Sequence, residues 1–177
     1  MKPVRYEHIL KCKDKNQIKK IYFDSFPKKE RMPWGLMLLL SCFPTTRFYA
    51  YSDDDKPCGF LYYGILGRYI FVMFFAVDKE LRCSGYGSRI LVELIAKYPK
   101  HKIFVTIEPP SEDPTDIRFR RKQFYLRNSF EDTGYVIKSF GDTQDILISG
   151  GKFRKNIFAL FLLAYSCLAI IPRIKKK

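Results

Sequence analysis

Histidine is scarce: His8 and His101 are the only two in 177 residues, and they stand in unrelated contexts. A Ser-His-Asp or Cys-His arrangement has little to draw on, and a metal site built on paired histidines has nothing. The five cysteines (Cys12, Cys42, Cys58, Cys83 and Cys167) are odd in number and scattered, with no Cys-x-x-Cys pair. That points away from a disulfide framework and from a zinc site, and it suits a reducing cytoplasm. Neither Gly-x-x-x-x-Gly-Lys-Ser/Thr nor Gly-x-Gly-x-x-Gly occurs, so nucleoside triphosphate and dinucleotide sites of those kinds are not indicated. Met1 to Asn16 is polar and charged, without an apolar h-region, and no secretory signal is expected. Internal repeats are absent.

What is present is enough apolar matter for one substantial core, with 47% hydrophobic and 16% aromatic residues. The formal charge is +14, but seven of the basic residues (Lys152, Arg154, Lys155, Arg173, Lys175, Lys176, Lys177) lie in a stretch that carries no acidic residue. The other half of the excess would favour an anionic cofactor or a nucleic-acid partner, and charge alone does not choose between them. Before residue 150 the basic residues concentrate only at Arg118 to Lys122, so nucleic acid is not the expected partner.

Hydrophobic periodicity predicts an alternating α/β order. Gln17 to Phe26 carries a helical stripe, Gly35 to Phe43 reads as a second and more buried helix after Pro33, and Arg47 to Tyr51 begins a hairpin. The hairpin turns through Ser52 to Pro57 and returns over Cys58 to Leu66. Tyr69 to Val77 is nearly continuous in apolar residues and predicts a strand buried on both faces. A helix follows whose inward face is Ile90, Leu91, Leu94 and Ile95, stopped at Pro99, and then a strand over Lys102 to Ile107. Strand, crossover helix and strand in this order imply one parallel pairing. Ile117 to Asn128 reads as a helix with Phe119, Gln123 and Leu126 on one side, and two short strands, Gly134 to Phe140 and Asp145 to Ser149, complete the order.

Two segments carry chemistry. Arg82-Cys83-Ser84-Gly85-Tyr86-Gly87-Ser88 stands between an apolar strand and an amphipathic helix. A glycine-bearing turn that opens a helix leaves backbone N–H groups without intrahelical partners at the positive end of the helix dipole, which is a setting for phosphate. Gly85 and Gly87 let an anion approach the main chain, while Arg82 and Arg89 add charge on either side. The second segment is Phe124-Tyr125 followed by Phe130.

The first segment resembles the pyrophosphate loop of the GNAT superfamily, the Gcn5-related N-acetyltransferases, whose signature is Gln/Arg-x-x-Gly-x-Gly/Ala after the fourth strand. The second resembles the Phe/Leu-Tyr-x-x-x-Gly-Phe pattern on the helix after that family's fifth strand, with Ser129 in place of the glycine. If that position needs a positive φ, serine is strained there. The resemblance spans roughly residues 17 to 150. It implies an α/β (α+β) fold with a mixed, mainly antiparallel sheet of six to seven strands flanked by helices, as a GNAT domain over residues 1–151.

The activity implied is transfer of an acetyl group from acetyl-coenzyme A to a primary amine by direct attack in a ternary complex, with no metal. Cys83, Ser84, Gly85, Tyr86, Gly87 and Ser88, with Arg82, would hold the pyrophosphate. Phe75, Ala76 and Val77 would lie where the fourth strand splays from the fifth and pair with pantetheine. Tyr125 would protonate the departing thiolate, Glu108 would take a proton from the amine, and Glu30 would attract a cationic acceptor. Cys83 is the cysteine of this loop, and the family pattern uses its position through the backbone amide, with the side chain incidental. The acceptor is a small-molecule or protein amine, and the location expected is cytoplasmic. Two alternatives stay open, a catalytically silent acyl-coenzyme A sensor and an acetyltransferase toxin acting on aminoacyl-tRNA.

Residues 152–177 do not follow from such a core. Ile157 to Ile171 is apolar or aromatic apart from Ser166 and is flanked by basic residues. As a helix it spans only about 22 Å, short of the roughly 30 Å bilayer core, unless the flanking cations snorkel. An extra C-terminal helix packed on the domain or on a homodimer partner, membrane association through residues 153–174, and a disordered tail are the readings it leaves.

Overall fold

The computed structural model describes residues 4–54, 56–139, 142–165 and 173–177. The elements in chain order are β1 (Arg5–His8), α1 (Lys15–Ser25), α2 (Trp34–Leu40), β2 (Thr46–Asp53), β3 (Lys56–Leu66), β4 (Tyr69–Val77), α3 (Tyr86–Lys97), β5 (Lys102–Ile107), α4 (Ile117–Arg127), β6 (Glu131–Ser139), β7 (Asp142–Ser149), α5 (Lys155–Tyr165) and β8 (Arg173–Lys176), with 3-10 turns at Lys28–Glu30 and Lys79–Leu81. The chain divides into two compact units, Met1–Ile65 with Val72–Pro99, and Leu66–Phe71 with Lys100–Lys177. Among the described residues the sheet carries eight strands where six to seven were expected. The additions are the short β1 and β8.

In the first unit the strand order is β1-β2-β3-β4. β1 and β2 pair antiparallel, as do β2 and β3, so the expected hairpin is present, but the strands take up most of its turn. Asp55, within that turn, lies outside the described residues. Tyr22 of α1 is fully buried and meets Phe60 and Phe74 edge-on, with ring centroids 6.0 and 5.3 Å apart, the geometry that aromatic quadrupoles favour. Its hydroxyl donates to the Met32 carbonyl at 3.0 Å and so fixes the chain between α1 and α2.

Helix α2 is less buried than its composition suggests. Met37 alone is covered, while Leu36 and Leu39 are 41% and 60% exposed. β4 comes close to its expectation: Ile70, Val72 and Ala76 are buried and the other residues are half-buried, with none exposed, and Phe71 packs on the face opposite its neighbours Ile70 and Val72. Ile90, Leu91 and Leu94 form the inward stripe of α3 as expected, with Ile95 at its half-buried margin.

In the second unit the opening residues of β4 are followed by β5-β7-β6-β8 in order. β7 pairs antiparallel with β5 and β6, and β6 with β8. The core holds Phe104, Ile137, Ile146, Ile148, Phe158 and Ile174. Phe158 and Phe161 of α5 are fully buried, and Phe158 packs against Phe71 and Phe104 at 5.6 and 4.9 Å, whereas Leu160 is exposed. The apolar C-terminal run therefore packs on one side as far as Ala164, and Arg173–Lys176 form a strand. Ser166–Ile171 of the expected helix, Cys167 among them, lie outside the described residues, as does Phe140 of the expected strand. No helix of the described residues is long and apolar enough to cross a membrane.

Candidate active site

The end of β4 and the start of α3 are joined by a tightly tethered loop. The Asp78 N–H donates to the Cys58 carbonyl at 2.9 Å, and the Asp78 carboxylate accepts from the Glu80 N–H at 3.0 Å and from Gln17 Nε2 at 3.1 Å. This cap starts the 3-10 turn Lys79–Leu81, after which the chain passes Arg82 and reaches Cys83 at φ 63° and Gly85 at φ 81°. Gly85 caps α3 without a side chain, and no acidic residue stands in the first turn. The first intrahelical bond runs from the Arg89 N–H to the Gly85 carbonyl at 3.1 Å, so the N–H groups before it sit at the positive helix end without a carboxylate to satisfy them.

Arg82 is exposed beside this turn, donating to Ser25 Oγ at 3.3 Å and to the Val77 carbonyl at 3.5 Å. Arg89, expected to add charge to the loop, is instead committed. Its guanidinium meets Asp53 Oδ2 at 3.1 Å, and the same oxygen accepts the Tyr86 hydroxyl at 3.0 Å. The hydrogen bond to Asp53 raises the Tyr86 phenol above its ordinary value, and the guanidinium lies over that ring at 4.9 Å. Asp53 therefore anchors the first turn of α3 to the β2–β3 hairpin.

The second unit holds the other candidate residues on and before α4. Asp116 caps this helix, accepting from the Arg118 N–H at 2.7 Å while pairing with the Arg118 guanidinium at 2.7 Å. Arg118 holds its carboxyl down to about 2. Glu108, just after β5, is about half exposed and pairs with Arg121 Nη1 at 2.6 Å. Tyr125 is 8% exposed, with its ring 5.2 Å from Phe124 and 5.3 Å from Phe130. Burial pushes its phenol up to about 12, against the weaker pull of Arg121. Ser129, which ends the helix turn, adopts φ 65°, and the Phe130 N–H returns to the Tyr125 carbonyl at 3.1 Å. The family glycine position does require a positive φ here.

A family model described as the acetyltransferase (GNAT) family matches residues 15–124. The chain belongs to this family. YjbC of Bacillus subtilis (strain 168) is 31% identical over 81 residues, which is 46% of this chain and 41% of that protein. Among solved structures, a GNAT-family protein of Bacteroides thetaiotaomicron superposes with a TM-score of 0.75 at 23% identity, over 94% of this chain and 99% of that one. An aminoglycoside 6'-N-acetyltransferase in complex with coenzyme A superposes with a TM-score of 0.63 at 15% identity, over 81% of this chain and 94% of that one.

As a GNAT chain it keeps the loop residues Arg82 to Ser88 together in the first unit, next to Phe75, Ala76 and Val77 at the end of β4. With β1 counted, β4 is the fourth strand, as the GNAT signature requires. Glu30 ends the 3-10 turn Lys28–Glu30, half-buried, beside Arg31, which donates to the Phe23 and Phe26 carbonyls. Tyr125 and Glu108 belong to the second unit. On α4 the covered residue is Tyr125, while Leu126 is 36% exposed, so the expected face of Phe119, Gln123 and Leu126 is rotated toward the tyrosine. Asp53 escaped the sequence reading because it stands in a Ser-Asp-Asp-Asp run that reads as a turn. Among the described residues no group of three His, Cys, Asp or Glu side chains is placed to hold a metal.

Proposed function

We propose that this chain is an N-acetyltransferase that moves the acetyl group of acetyl-coenzyme A to a primary amine by direct attack in a ternary complex. The observation that carries the reading is the place of Tyr125: its ring is 8% exposed and held between Phe124 and Phe130 on α4, in the motif position from which the family donates a proton to the departing thiolate, and its phenol is protonated at neutral pH. The donor set at α3 fits the anionic part of the co-substrate, since backbone N–H groups converge there with no side-chain cap and no acid in the first turn. Arg82 adds an exposed cation.

Each remaining role falls to a named residue. Backbone groups of Phe75, Ala76 and Val77 orient pantetheine and polarise the thioester carbonyl. Glu108 accepts the amine proton, which requires its exposed ion pair with Arg121 to open. Exposed pairs of this kind are worth roughly 0–1 kcal/mol, so the opening is a small barrier. Glu30 draws a cationic acceptor toward the end of α1. The acceptor is a small-molecule or protein amine.

The test is calorimetric titration of acetyl-coenzyme A into wild type and Ser88→Glu, with free-thiol release measured over a panel of small amines. Wild type should bind and release thiol only when an amine is present, and a carboxylate in the first turn of α3 should weaken binding at least tenfold. Binding without turnover on any amine would favour a sensor or a macromolecular acceptor, and no binding would remove the cofactor assignment.

A further inference from the structure

Four charged side chains of the second unit, from α4, β6, β7 and the residue after β8, meet beside α4. Lys122 Nζ lies 2.6 Å from Asp132 Oδ2 and 3.7 Å from Asp145 Oδ2, and Lys177 Nζ lies 2.7 and 2.6 Å from the same two oxygens. The Asp145 side chain is 4% exposed and that of Lys122 is 20% exposed, with Asp132 and Lys177 at 26% and 33%, so the pairs made by Asp145 are screened less than the outward pair Arg121–Glu108. The charges balance, two against two. Removing either lysine leaves the buried Asp145 carboxylate without full compensation, and that holds the cluster in one arrangement.

The cluster is aimed at one helix turn. Lys122 precedes Tyr125 by three residues and so shares its side of α4. Asp132 follows Phe130, the ring in contact with Tyr125, by two residues. Asp132 is itself fixed, since its Oδ1 accepts the Gly134 N–H at 2.9 Å at the bulge where the β6–β7 register shifts. β8 delivers Lys177 by pairing with β6, and the Lys177 N–H donates to the Gly134 carbonyl at 2.9 Å.

We propose that Lys122, Asp132, Asp145 and Lys177 form a positioning cluster that sets the placement of Tyr125 for proton transfer, with β8 present to supply its second ammonium. The inference rests on the donor role proposed for Tyr125. None of the four touches substrate; they act through the turn of α4 that carries the phenol, where a displacement of about 1 Å can lower a rate about a hundredfold.

The experiment is a double-mutant cycle between Lys122→Met and Tyr125→Phe on the full chain, reading kcat of amine-dependent thiol release, KM for acetyl-coenzyme A and the thermal midpoint. Lys122→Met should lower kcat at least tenfold with KM within about twofold, Lys122→Arg should restore most of it, and in the Tyr125→Phe background the same change should lower kcat by less than about twofold. Lys177→Met, which leaves Lys122 in place, should show the same dependence on Tyr125 with a smaller loss, and it serves if Lys122→Met does not fold. Equal losses in both backgrounds would overturn the positioning role and leave the donor role standing. An unchanged kcat in Tyr125→Phe alone would remove both.

Discussion

Gly59 stands on β3 against the end of β4, and replacing it with alanine tests how tightly the strand that would face the thioester is held. A Cβ at that position would lie 2.6 Å from the Ala76 carbonyl oxygen, 3.2 Å from Ile90 Cδ1 and 3.3 Å from Val77 Cα. The first two contacts differ in kind. The isoleucine methyl can rotate, but the carbonyl belongs to the backbone of β4 and would have to retreat by roughly 0.7 Å to reach an ordinary C–H···O separation of about 3.3 Å. Overpacking of this sort costs about 1–3 kcal/mol. In a chain of this size each kcal/mol moves the midpoint by about 2–4 °C, so Gly59→Ala should melt about 2–12 °C below wild type. Its affinity for acetyl-coenzyme A should fall several-fold as well, because the displaced segment contains Ala76 and Val77. Gly35 on α2 is the control: a Cβ there meets nothing within 4 Å, and Gly35→Ala should be stabilising by about 0.5–1 kcal/mol through helix propensity. Thermal unfolding by circular dichroism with parallel titrations measures both. A Gly59→Ala midpoint within about 1 °C of wild type would refute the packing argument.

Ser129→Gly should stabilise the chain by about 0.5–1 kcal/mol, since serine at φ 65° carries the strain of the left-handed region at a helix C-terminus; urea unfolding measures it, and a destabilised variant would contradict the strain. Stability should also respond to acid through Asp132. Burial works against its ionisation, but Lys122, Lys177 and the Gly134 N–H outweigh it and hold the carboxyl down to about 2 from an ordinary 3.8. A depressed carboxyl contributes stability above its unfolded value and loses it as pH falls, so about 2 kcal/mol should disappear between pH 4 and pH 2. Asp132→Asn should lack that part of the acid dependence, and parallel curves for the two proteins would count against the cluster.

The elements with a strong local signal were legible in sequence. The loop from Arg82 to Ser88 is marked by an apolar strand before it and a periodic helix after it, and β5 is bounded on both sides by turn residues. Helix α4 was found but turned the wrong way, because charges lie nearly all round it and its covered face is set by Phe130 and β6 rather than by its own stripe. β1 and β8 were missed for a related reason. Arg-Tyr-Glu-His and Arg-Ile-Lys-Lys show little alternation, and charged, short strands are what sheet edges carry. Their pairing is decided by partners far along the chain. The same distance hid the ties that hold the candidate site, Asp53 to Arg89 and Lys177 to Asp132 and Asp145, since no local spacing announces them.

Tyr125 as the proton donor in amine-dependent acetyl transfer is the role on which the other assignments depend. The measurement is kcat for thiol release from acetyl-coenzyme A with an accepted amine, wild type against Tyr125→Phe, with calorimetric binding of acetyl-coenzyme A to both. Loss of the phenol oxygen should lower kcat by about a hundredfold or more, while affinity stays within about threefold because the buried ring and its contacts with Phe124 and Phe130 remain. Equal kcat in the two proteins, or a loss explained entirely by weaker binding, would contradict it.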